Sequence, residues 1–133
     1  MGILKALFGG GGTAFNRLAK TFSAVYDYIN SYNILSNTEY LYRAAWLLKY
    51  GVYDSIEKWH WSPGAKIFIP DHQELGRITV NEAIMIAMGK LSSAAQSLPE
   101  EIRNRIEKIL TGEKEYSDTE CLIPLHLKNK LKP

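Results

Sequence analysis

Thr13-Ala14-Phe15-Asn16-Arg17-Leu18-Ala19-Lys20-Thr21-Phe22-Ser23-Ala24-Val25-Tyr26-Asp27-Tyr28-Ile29-Asn30-Ser31-Tyr32 decides the fold class. Phe15, Leu18, Ala19, Phe22, Val25, Tyr26 and Ile29 recur at intervals of three and four, whereas Asn16, Arg17, Lys20, Ser23, Asp27 and Asn30 fall on the other side. At about 100° per residue that spacing puts one apolar stripe on a helix. Thr13 is a natural N-cap, so the sequence predicts a helix over 13–32.

The same reading extends in both directions. Upstream, Gly9 to Gly12 form an unbroken glycine run with high backbone entropy, which predicts a hinge between an arm and the helix. In the arm, Ile3, Leu4, Leu7 and Phe8 would share a helical face away from Lys5. Tethering favours docking on the chain's own bundle or a neighbouring copy over a separate partner, and a separate partner over membrane contact. Ordering the octet at a lipid surface costs about as much as its burial returns.

Downstream, Ser36 and Glu39 have capping-box spacing and Gly51 is a helix stop, predicting a second helix over 37–50. A short helical turn is expected at 53–58, followed by a turn at Trp61-Ser62-Pro63-Gly64. Lys66-Ile67-Phe68-Ile69-Pro70 and Gly76-Arg77-Ile78-Thr79-Val80 bracket a polar stretch and read as a small hairpin near 65–80. Thr79 with Glu82 and Ser97 with Glu100 are two further capping boxes, opening helices over 80–96 and from about 99 to a stop at Gly112. The expected fold is mainly α: a compact irregular bundle of about four main helices, with the hairpin inserted between the second and third. Its organisation is an amphipathic arm and glycine hinge over 1–12, a helical domain over 13–112 and a partly packed tail over 113–133.

Composition bounds the function classes. At 133 residues, with 46% hydrophobic and 23% charged residues, the chain can bury one core and has no need of a second. A formal charge of +2 is too small for a dedicated nucleic-acid binder, so no nucleic-acid partner is expected. The lone Cys121 rules out an intrachain disulfide and fits a reducing, cytoplasmic setting. The first residues lack a signal-peptide core, and Ala6 stands where a myristoylation pattern wants Ser or Thr.

Chemistry is sparse. The glycine run before a helix would suit a phosphate, but a P-loop has lysine after its last glycine, where this chain has Thr13. His60, His72 and His126 make no helical ligand pair, so neither a metal nor any other cofactor is expected. His60 reads as a ring wedged between Trp59 and Trp61. Asp71, His72 and Glu74 concentrate titratable groups in the hairpin loop and define the alternative reading, a small enzyme with a loop acid/base cluster. Cys121 has no basic neighbour to activate it.

The rings are unevenly placed. All the tyrosines but Tyr116 lie between Tyr26 and Tyr53, and all three tryptophans between Trp46 and Trp61. On the second helix Tyr40, Leu41, Ala44, Ala45, Leu47 and Leu48 suffice for a core arc, yet Tyr42, Trp46 and Tyr50 form another. A helix apolar on two faces is central in its bundle or faces a partner. Tyr42, Trp46 and Tyr50 are therefore the candidate partner-binding residues of a non-enzymatic interaction or regulatory module, whether adaptor, inhibitor or immunity-type binder. The partner expected is another protein or a second copy of the chain.

Overall fold

The computed structural model describes residues 2–112, with side chains from residue 16 onward except that of Trp59. The predicted tail over 113–133, with Cys121 and His126, lies outside the described residues, as do the arm's side chains.

The core grows from α1 (Gly2–Leu35). Leu18, Phe22, Val25, Tyr26 and Ile29 of the predicted stripe are almost completely buried. The helix begins eleven residues before the expected Thr13 cap and runs through Gly9–Gly12, where the sequence predicts a hinge. Each glycine costs about 1 kcal/mol relative to alanine, yet it still donates and accepts helical hydrogen bonds. Extending an existing helix by one residue is far easier than nucleating one. Helix α1 ends three residues beyond Tyr32, where Ser36 adopts a left-handed φ of 59° and its amide donates to Tyr32 O at 2.7 Å.

That role for Ser36 removes the expected Ser36–Glu39 capping box. Asn37 Oδ1 accepts from the Glu39 amide at 3.0 Å instead, and α2 (Glu39–Trp46) starts after Thr38 without a side-chain cap from it. Gly51 does not stop the helix. Helix α2 passes into a π-helical segment (Leu47–Tyr53), and that into α3 (Asp54–Trp59), making one rod over 39–59. In an α-helix residues five apart point about 140° away from each other; the wider π turn brings them onto one side. Accordingly Lys49 Nζ reaches Asp54 Oδ1, five residues on, at 2.8 Å. Gly51 is buried inside this segment. His60 closes the rod with φ 53° and is exposed.

The hairpin has the expected position. Strand β1 (Lys66–Phe68) pairs antiparallel with β2 (Arg77–Thr79), Ile67 opposite Ile78. Both of those isoleucines, with Ile69, face the core, which supplies the packing that two strands cannot provide alone. Helix α4 (Val80–Ala95) opens with the predicted capping box: Thr79 Oγ1 accepts from the Glu82 amide and Glu82 Oε1 from the Thr79 amide, both at 3.0 Å. The Ser97–Glu100 box does not form. Helix α5 (Glu100–Thr111) opens on Pro99, whose carbonyl accepts from the Ile102 and Arg103 amides. Pro99, not Ser97, takes the N-cap position, so the helix begins three residues past Ser97. Gly112 ends α5 in the left-handed region, as expected.

The chain is thus mainly α, with four main helices among the described residues (α1, the rod, α4 and α5) and the hairpin between the second and third. The rod packs between α1 and α5, and α4 packs against both α1 and α2. No helix among the described residues is long and apolar enough to cross a membrane.

Candidate functional site

The rod's placement between two helices divides the predicted Tyr42, Trp46, Tyr50 stripe. Tyr42 turns toward α5 and is buried, with the Arg105 guanidinium 4.7 Å from its ring centroid. It walls one side of a shallow cleft of about 340 Å³ completed by Glu101, Ile102, Asn104, Arg105 and Lys108. Trp46 and Tyr50 are half-buried at the rod's edge, their centroids 5.1 Å apart and planes 42° from parallel. Lys49 Nζ stands 5.9 Å from the Tyr50 ring. Its hydrogen bond to Asp54 raises the Lys49 ammonium above its ordinary range, against the opposing effect of desolvation.

A further set of residues joins this edge. Tyr40 and Arg43 continue it toward the start of α2, and Tyr28 of α1 lies over them. The Tyr28 and Tyr40 rings stack at 6.2 Å, with the Arg43 guanidinium 5.8 Å from one centroid and 5.5 Å from the other. Tyr40, Arg43, Trp46 and Tyr50 are spaced by three, three and four, so the half-exposed stripe is legible on the sequence once Tyr42 is removed from it. Tyr28 could not be assigned to it from periodicity, because its proximity depends on how α1 crosses the rod.

Of the loop cluster, the structure brings His72 and Glu74 together. Asp71 is exposed, in a left-handed conformation with φ 66°. Glu74 is exposed in the short 3₁₀ turn Gln73–Leu75. His72 alone is buried, with Nε2 3.1 Å from Asp27 Oδ1 and Nδ1 3.5 Å from Glu74 Oε1. Asp27 sits on the polar side of α1, 45 residues away in sequence, and no local pattern couples the two. Among the described residues no group of three or more His, Cys, Asp or Glu side chains is arranged to hold a metal ion.

A second surface depression, about 390 Å³, lies between α1 and α4, with Asn30, Asn33, Lys90 and Ser93 around the exposed Gly89. Neither depression is lined by Asp71, His72 or Glu74. No family model matches the chain, and no curated protein or solved structure matches it either.

Proposed function

We propose that the chain is a non-enzymatic protein-interaction module that binds another protein, or a second copy of itself, through the edge of the rod. The observation that carries this reading is the continuous half-exposed stripe Tyr40, Arg43, Trp46, Tyr50, widened by Tyr28. Tyrosine, tryptophan and arginine combine large contact area with a polar end, and they dominate the residues on which protein interfaces depend. Their rings are already held by stacking and by Arg43 and Lys49, so little side-chain freedom remains to be lost on binding. Regulatory roles such as adaptor, inhibitor or immunity-type binder all need a surface of this kind.

The alternative acid/base reading of Asp71, His72 and Glu74 draws less support, because the His72 ring is buried and occupied by Asp27 and Glu74. A general base must present a ring nitrogen to substrate.

The test pairs native mass spectrometry with cross-linking capture, comparing the native chain with a Tyr40→Ala/Tyr50→Ala variant. Neither ring belongs to the buried core. Loss of the assembly by about tenfold or more, which corresponds to about 1.4 kcal/mol, at a nearly unchanged melting temperature is the expected result. Equal assembly by both proteins would remove the surface from consideration.

A further inference from the structure

The loop between the strands, residues 69–76, is tied to α1 by contacts that the rod's edge does not use. Ser23 Oγ donates to Pro70 O at 2.8 Å. The His72 ring meets the Tyr26 ring edge-on, at 5.1 Å and 80°. Its side chain is 9% exposed, while those of Asp27 and Glu74, which reach it at Nε2 and Nδ1, are 59% and 68% exposed.

An ionised carboxylate only accepts hydrogen bonds, and a neutral imidazole has a single N–H. A neutral His72 therefore satisfies one of its two neighbours and turns a nitrogen lone pair toward the oxygen of the other. The imidazolium supplies an N–H in both directions, together with the charge that strengthens each bond. The other charged or titratable groups nearby leave that match intact. The Tyr26 hydroxyl is turned away to donate to Ala83 O at 2.8 Å. Lys90 of α4 has its ammonium over the Tyr26 ring, 5.9 Å from the centroid, and Asp71 adds a further negative charge beside His72 in the chain.

We propose that the strand-connecting loop is a pH-sensitive latch on α1, closed when His72 carries both ring protons and loosened locally when the ring gives one up. Loosening exposes Ser23, Asp27 and the edge of Tyr26 without dismantling the helices.

Amide exchange in the full chain tests this. The His72, Leu75 and Gly76 amides donate to Ile69, His72 and Gln73 carbonyls and report on the loop. They are followed at about pH 5.5 and about pH 8, a span across which free imidazoles titrate and free carboxylates stay ionised. With each rate divided by its intrinsic value at that pH, protection in the native chain falls several-fold at the higher pH. In His72→Gln it does not change, and in Glu74→Gln, at an exposed site that leaves the core intact, the pH response shrinks. Ring ¹⁵N shifts at the lower pH show two N–H groups. Equal loop protection at both pH values in the native chain, or the ring shifts of a neutral imidazole at the lower one, overturns the latch.

Discussion

Tyr26 concentrates several roles in one side chain. Its ring is fully buried between the α1 core stripe and His72, and its hydroxyl donates to Ala83 O of α4 at 2.8 Å. Burial pushes the phenol well above its ordinary range, and Tyr53 shifts the same way for the same reason. A folded-state pKa above the unfolded one means that the folded chain holds its proton more tightly. Stability is therefore full below about pH 10, the ordinary tyrosine value, and declines as pH rises beyond it. Tyr26→Phe should cost about 1 kcal/mol at neutral pH through the lost hydrogen bond. It should also flatten the alkaline decline, since the buried proton is gone. Urea melts of both proteins at neutral and alkaline pH measure the two effects, and parallel alkaline declines would show that Tyr26 does not govern this limb. The burial of Tyr26 was readable from its place on the α1 stripe. Its hydroxyl's partner was not, because Ala83 lies 57 residues away and any carbonyl in reach would have served.

Among the elements, helix ends separate the residues that local chemistry decides from those it does not. Thr79 and Glu82 form their box as spaced, and hydrogen bonds from the Thr79 amide and with its hydroxyl hold the Glu82 carboxyl below its ordinary range. The contribution of this depressed carboxyl is present above the ordinary glutamate range and is lost as pH falls. Thr79→Ala should lower stability by about 1 kcal/mol, measured by thermal unfolding near neutral pH. An identical spacing at Ser36 and Glu39 makes no box, since Ser36 is spent on closing α1. Glycines show the same contrast. Gly89 lies on the exposed side of α4 with nothing within 4 Å of where a Cβ would be, so Gly89→Ala should stabilise the fold by about 1 kcal/mol. Gly112 has φ +78°, and an added Cβ would meet Lys49 Cε at 3.1 Å. Gly112→Ala should therefore destabilise by about 1 to 2 kcal/mol, and melting temperatures moving in the same direction for the two variants would contradict this reading.

For the molecule as a whole, α1 touches α2, the π-helical segment and α4, while α5 packs on α2 and the π-helical segment. One continuous buried cluster runs from Leu18 to Ile109, so no helix has a core of its own to keep when the others leave. Urea unfolding should then follow a single transition, with tryptophan fluorescence and far-ultraviolet circular dichroism superimposable; separate midpoints would divide the chain into independent units. This shared core also explains which parts of the chain were legible. The α1 stripe, the hairpin, the Thr79 box and the Gly112 stop were determined by the sequence itself, because periodicity, β-branching and capping act between residues at most a few positions apart. Tertiary structure decided that helix continues past the buried Gly51, since local propensity is worth about 1 kcal/mol per glycine and packing overrides it, whereas the helix through Gly9–Gly12 follows from propagation along the chain. It decided too that Tyr42 faces Arg105 inside the bundle while Tyr40, Arg43, Trp46 and Tyr50 stay at its edge, and that His72 meets Asp27. Those pairings join residues brought close only by the crossing of helices, and a single chain of letters carries no local term for the angle at which two helices cross.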